Sequence, residues 1–174
     1  MGSEGANGDT VAAQLEELHN HFCGCRAIDG NIRLIIPPGS NNVTLTEANF
    51  TFFNEITEVS GYIFLQGIPS LSLLTFPRLR LIRGRDTLNG PNGPVSLLIG
   101  FSNISRLFMP RLTEITNGGV FFRNPVAPLC SAAFVNWTDI ISSNASQETP
   151  NNCDGQGNNQ SQLVYNYVTA IVPL

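Results

Sequence analysis

The chain contains no lysine; all nine of its basic residues are arginine. Schiff-base catalysis and the lysine-dependent phosphate loop are therefore excluded, because both need a primary amine. Charge of either sign is scarce. Charged residues make up 13% of the chain, against about 25% in an ordinary soluble domain, which argues for much buried sheet and against disorder. The net charge of −4 and a pI near 5.0 leave no basic face for nucleic acid phosphates. Long hydrophobic runs are missing as well. The apolar stretch Leu163 to Leu174 is interrupted by Asn166 and falls well short of the ~20 residues of a membrane-spanning helix. The opening MGSEGANGDT has neither a charged leader nor an apolar segment, so it is not a signal peptide and, read alone, points to the cytosol.

What is present suits one domain: 174 residues, 42% of them hydrophobic, enough for a sizeable core. Residues 1–9 are rich in Gly, Ser and Asn and are expected to form a disordered leader. Asp9 or Thr10 is then expected to cap a helix reaching about Phe22, with Val11, Leu15, Leu18 and Phe22 forming one apolar stripe. Beyond it the helical period disappears. Short apolar runs bounded by Gly, Pro or Asn recur instead, as Ile28–Ile35, Val59–Gln66, Phe76–Gly84 continuing in Val95–Ile99, and Pro110–Asn124. The shared unit is Leu/Ile-x-x-Ile/Val-x-x-Gly-x-Ile/Val-x-Leu/Phe. A short unit ending in a strand is the mark of a solenoid, in which each coil is too small to bury its own apolar face and must stack. A β-sandwich of similar short strands is the competing fold.

Alternation divides the strand residues between two faces. Ile32, Leu34, Ile63, Leu65, Leu97, Ile99, Val120 and Phe122 are expected to point inward. Arg33, Ile35, Phe64, Gln66, Ser96, Leu98, Phe121 and Arg123 are expected to point outward as a ladder. Aromatic and aliphatic groups flanked by arginine suit a protein-binding patch. The alternative is a face covered by another domain or by the chain's own C-terminal strand.

Four cysteines are present: Cys23, Cys25, Cys130 and Cys153. A CxC pair followed by two distant single cysteines fits no common zinc spacing, so neither metal nor cofactor is expected. Cys130 and Cys153 enclose a loop that suits a disulfide, with buried free thiols as the alternative. A Cys23–Cys25 bridge would close a tight, strained ring. Six Asn-x-Ser/Thr sequons start at Asn42, Asn49, Asn103, Asn136, Asn144 and Asn159, where this composition gives about three by chance. Asn136 is the weakest glycosylation candidate, because Trp137 fills its middle position. Cysteines and sequons together favour the secretory route. Set against the opening residues, they lead us to expect a fragment or an incomplete gene product.

Several of these segments resemble the receptor L domain of the epidermal growth factor receptor and insulin receptor families. They are Ile28-Asp-Gly-Asn-Ile-Arg-Leu, Ile56-Thr-Glu-Val-Ser-Gly-Tyr-Ile-Phe-Leu-Gln, Leu79-Arg-Leu-Ile-Arg-Gly-Arg, Leu112-Thr-Glu-Ile-Thr-Asn-Gly-Gly-Val and Leu129-Cys130. Asn136-Trp137-Thr-Asp-Ile-Ile-Ser-Ser is similar to the helix that follows the Leu-Cys pair in that family. The likeness covers roughly residues 10–155, leaving 156–174 as a polar linker and apolar tail. Arg83-Gly84-Arg85 followed by Asn103-Ile-Ser leans towards the epidermal growth factor receptor side.

The resemblance implies a mainly β fold, a short right-handed β-helix with an N-terminal helix, a short helix after Cys130 and a terminal Cys130–Cys153 disulfide. It also implies a cell-surface or secreted location and a role as part of a receptor tyrosine kinase whose kinase lies on other sequence. The implied partners are a small secreted growth-factor-like protein and neighbouring receptor domains, the ligand being gripped between two such domains. Gln66 falls where the second L domain of epidermal growth factor receptors has a ligand-facing glutamine, with Arg33, Ile35, Phe64, Leu98, Phe121 and Arg123 on the same face. The family pairs its cysteine near Cys25 with one upstream of the first helix, and this chain has no cysteine before Cys23. A secreted decoy with the same patch is a second reading. A carbohydrate-active β-helix enzyme is a third, disfavoured because the outward ladder carries arginines but no Asp or Glu, while Asp29, Asp86, Asp139 and Asp154 are scattered. His19 and His21 read as a solvated helical pair.

Overall fold

The computed structural model describes residues 6–37, 44–68, 71–104, 106–123, 129–133, 135–142, 145 and 147–149, with the backbone alone for 6–10. In chain order, helix α1 (Ala6–Phe22) leads to strands β1 (Ala27–Ile28) and β2 (Ile32–Ile35), then to the 3-10 helix η1 (Glu47–Glu55). Strands β3 (Glu58–Val59), β4 (Ile63–Gln66), β5 (Leu74–Thr75), β6 (Leu81–Ile82), β7 (Leu88–Gly90) and β8 (Gly93–Gly100) follow. Then come β9 (Leu107–Phe108), β10 (Glu114–Ile115), β11 (Gly119–Arg123), α2 (Cys130–Ala133), the 3-10 turn η2 (Trp137–Asp139) and β12 (Gln147–Glu148).

The fold is mainly β. One sheet has the order β1-β3-β6-β10, a second has β12-β11-β8-β4-β2, and a third pairs β5 with β9. Every pairing is parallel except that of β7 with β8. Parallel neighbours require a long connection between them, and here each strand pairs with its counterpart one repeat on. Ile32, Ile63, Leu97 and Val120 lie side by side, as do Ile28, Val59, Ile82 and Ile115. An antiparallel sandwich does not have this pattern.

All eight residues expected inside are between 0% and 3% exposed, so the strand phase read from alternation holds on the inner face. Turns between the sheets are stitched by repeat-to-repeat hydrogen bonds. Asn31 Oδ1 accepts from the Tyr62 amide at 2.9 Å, and Asn117 donates to the Gly84 carbonyl at 3.0 Å. Gly84 has φ +62, and a Cβ there would meet the Asn117 carbonyl at 2.1 Å, so only glycine fits.

Helix α1 starts at Ala6, ahead of the expected cap at Asp9 or Thr10 and inside the stretch expected to be a disordered leader. Ala6, Asn7 and Gly8 do not oppose helix strongly enough to delay it, glycine costing only about 1 kcal/mol relative to alanine. Val11 and Leu15 are buried, and Leu18 and Phe22 pack against the core.

Helix η1 has no counterpart in the strand periodicity. Its Phe50, Phe52 and Phe53 are all buried. Phe53 stacks on Phe76 with ring centroids 4.3 Å apart and meets Phe52 edge-on at 4.4 Å. Aromatic pairs in these geometries add about 0.5–1.5 kcal/mol beyond the area they bury. Trp137 is 3% exposed, lies 5.2 Å from the Phe122 ring and donates its indole N–H to the Ala132 carbonyl at 2.8 Å.

Candidate functional site

The exterior of the sheet β12-β11-β8-β4-β2, which β7 joins beside β8, carries two cross-strand rows. The first is Arg33, Phe64, Leu98, Phe121 and Glu148 in register. At ~4.8 Å per strand it spans ~19 Å. The second is Ile35, Gln66, Gly100 and Arg123. Arg33 and Arg123 are exposed, while Ile35, Phe64, Gln66 and Leu98 are half-buried. The Arg33 guanidinium carbon lies 6.0 Å from the Phe64 ring centroid, at the outer limit of a cation–π contact. The contact holds the arginine stem along the apolar row and leaves the charged head in water.

Two expected outward residues are not free. Phe121 is 8% exposed. Strand β11 is not the sheet's edge, because β12 pairs with it and sets Glu148 beside Phe121, opposite Leu98. The last described strand, β12, thus extends the sheet sideways at Gln147 and Glu148. Ser96 is 0% exposed. The register slips between Gly119 and Val120, so Val95 and Leu97 both find partners and Ser96 falls in the irregularity. Its hydroxyl donates to the Asn117 carbonyl at 2.6 Å. Gly84 and Gly118 make room for it; a Cβ on either would sit 2.5 or 2.4 Å from Ser96 Oγ.

Two residues of this region escape the sequence pattern. Glu148, the single carboxylate in the described rows of this sheet, lies too far along the chain from the repeats to be assigned by their spacing. Phe101 is 57% exposed and holds φ +49. A signal for it exists: it directly follows Gly100, in the place that Gly67 (φ +73) takes one repeat earlier.

Around the other faces the charges form local pairs. Arg78 bonds Glu55, Arg83 bonds Glu58, and Arg85 lies 3.5 Å from Asp29. The hydrogen bond from Arg83 holds the Glu58 carboxyl below its ordinary value, and Glu58 in turn raises Arg83. Asp29 also accepts from the Ser60 hydroxyl, and Asp86 from Asn31. His21 Nδ1 lies 3.0 Å from the Glu17 carbonyl, and His19 meets Phe52 edge-on. Among the described residues no group of three His, Cys, Asp or Glu is arranged to hold a metal.

Cys130 is disulfide-bonded, and its expected partner Cys153 lies outside the described residues. Cys23 and Cys25 are free thiols, so the strained CxC ring does not form. Of the sequon asparagines, Asn49, Asn103 and Asn136 are exposed, while Asn42, Asn144 and Asn159 lie outside the described residues.

Parallel strands drawn from successive repeats, with an open outer sheet of apolar and arginine side chains and one carboxylate, define a repeat-built domain. Its described rows lack the carboxylate pair that glycoside hydrolysis uses. The chain belongs to the receptor L domain family, whose family model, "Receptor L domain", matches residues 24–141. It is 30% identical over 127 residues to the epidermal growth factor receptor of Drosophila melanogaster, covering 72% of this chain and 8% of that protein. It is 29% identical over 135 residues to the epidermal growth factor receptor of Gallus gallus, covering 74% of this chain and 18% of that protein. Against a putative insulin-like peptide receptor of Hydra vulgaris the identity is 33% over 97 residues, covering 55% of this chain and 6% of that protein. The chain therefore spans under a fifth of each of these relatives.

Proposed function

We propose that this chain is an extracellular ligand-binding L domain of a receptor tyrosine kinase of the epidermal growth factor receptor type. It holds a small secreted, growth-factor-like protein on the outer face of the sheet β12-β11-β8-β4-β2. The observation that carries the reading is the row Arg33–Phe64–Leu98–Phe121–Glu148, which offers partly exposed apolar groups between an arginine and a carboxylate. Interface energy concentrates in such central aromatic and aliphatic groups, with charged groups at the rim directing approach and register. Phe64 and Leu98 are the anchors, Gln66 is the polar contact, and Arg33 and Arg123 frame them. Phe121 supports Leu98 from a buried position.

The proposal includes the finer architecture, a right-handed β-helix in which each coil adds a strand to the sheets. It also includes a terminal disulfide between Cys130 and Cys153. A row ~19 Å wide is narrow against the roughly 800 Å² per partner of a stable complex. The ligand is therefore gripped between this face and a second domain. Bridging the two shifts the receptor towards the form that signals across the membrane.

The test is capture from a mixture of small secreted proteins, with the wild-type chain and its Phe64→Ser and Arg123→Glu variants as bait. A secreted protein retained by wild type and lost from both variants, which keep the wild-type circular dichroism, supports the reading. Equal retention by all three baits refutes it.

A further inference from the structure

We propose that Phe101 is the aromatic platform for an N-linked glycan on Asn103. Two unfavourable features meet at Phe101. Its ring is 57% exposed, and its backbone holds φ +49, a conformation that glycine adopts freely and a bulky residue rarely. In the preceding repeat the matching turn uses Gly67. Strain combined with exposure at one residue points to a function for the ring.

The turn that carries it is pinned on every side. The Phe101 amide donates to the Arg123 carbonyl at 2.7 Å. Ser102 is buried, donates its hydroxyl to the Gly100 carbonyl at 3.0 Å and accepts from the Ile68 amide at 3.1 Å. The Asn103 amide donates to the Ile68 carbonyl at 2.8 Å, and its carbonyl accepts from Leu71 at 3.1 Å. Ile104 is 0% exposed and bridges to Leu71. Exposure therefore alternates through Phe101, Ser102, Asn103 and Ile104: out, in, out, in. The exposed ring and the exposed carboxamide of Asn103, which heads the sequon Asn103-Ile104-Ser105, thus stand two residues apart on one hydrogen-bonded turn.

A sugar laid on that ring gains twice. The C–H groups of one face of N-acetylglucosamine meet the electron-rich face of phenylalanine, and the ring loses its contact with water. Neither of the other described sequons has this arrangement. Asn49 uses its Oδ1 to accept from the Thr46 amide and hydroxyl at the start of η1, and two residues before it stands Glu47. Asn136 is tied to Asp139 and Thr138, around the buried Trp137.

The donor is a lipid-diphosphate oligosaccharide. Asn103 Nδ2 bonds to C1 of its reducing N-acetylglucosamine, and the C1–O bond to diphosphate breaks. The lipid diphosphate leaves with the electron pair, and one Nδ2 proton passes to the transferase's base. The folded turn then receives the first sugar against Phe101.

The test is a double-mutant cycle on the full chain, secreted from insect cells. Phe101 and Phe101→Gly are each combined with Asn103 and Asn103→Gln, and site occupancy is read by glycopeptide mass spectrometry. With Asn103→Gln, Phe101→Gly should leave the melting temperature unchanged or raise it, because the strain is relieved. With the glycan present, the same change should lower it by about 2–4 °C. That reversal of sign is the expected result. An empty Asn103 in the secreted wild-type chain overturns the proposal. So does a Phe101→Gly effect of the same sign and size in both backgrounds, which would assign the ring to protein contacts. Partner capture by the Phe64 variant is a separate measurement, so this proposal and the ligand-binding reading can fail independently.

Discussion

At the scale of single residues, adjacent positions on β4 should behave oppositely. Leu65 is fully buried, and Leu65→Asp would leave an unpaired charge in an apolar interior. It should unfold the domain, read as loss of the cooperative melt in circular dichroism. Phe64, one residue earlier, is half-buried on the outer face, so Phe64→Ser should keep the wild-type spectrum and lose partner capture. Trp137→Ala should destabilise by about 3–5 kcal/mol in urea titration, because it empties the space beside Phe122 and removes the shorter of two hydrogen bonds to the Ala132 carbonyl. Glu58 tests an exposed charge. Its folded carboxyl is held low first by the Arg83 hydrogen bond, so the pair's support is present above the unfolded carboxylate range. That support is lost as pH falls through the folded value. Arg83→Ala should move the Glu58 titration, followed by NMR, up towards its ordinary value and flatten that acid-side decline.

At the scale of elements, the turns between repeats carry the tightest constraints. Gly84 combines φ +62 with a carbonyl where a Cβ would go. Gly84→Ala should cost about 1–3 kcal/mol from backbone strain, with a further loss as Asn117 and Ser96 shift, measured by chemical denaturation. Gly67 is the comparison, at φ +73 with the Ile36 carbonyl 2.1 Å from its missing Cβ. The irregularity opposite Ser96 shows how one slipped register removes a residue from the outer face while the strands on either side of it keep their alternation.

At the scale of the whole molecule, successive repeats are joined by parallel strand pairing, and their apolar residues merge into one buried cluster. Helix α1 packs on the phenylalanines of η1, with His19, Phe22, Phe50, Phe52, Phe53 and Phe76 in ring contact. The short helix at Cys130 packs beyond β9, and the cysteine's disulfide fastens that part of the chain. Reduction should lower the melting temperature in step with a disulfide contribution of about 2–4 kcal/mol. The same reductant should leave the melt of Cys130→Ser unmoved.

The inner face was legible in the residues because burial imposes a period of two on every strand, and Ile32, Leu34, Ile63 and Leu65 kept that period without interruption. The repeat followed from the recurring glycine turn, which only a residue without Cβ can fill. Local pattern did not determine the outer face. Phe121 is enclosed in a strand that Gln147–Glu148 joins on its far side, and Ser96 turns in where the register slips next to it. Both depend on which strands meet, a non-local matter that alternation along one strand does not encode. For the same reason the sequence by itself identified inward residues and family, while the tertiary structure alone decided which outward residues are free, brought Glu148 to the row, and left Phe101 in water beside Asn103.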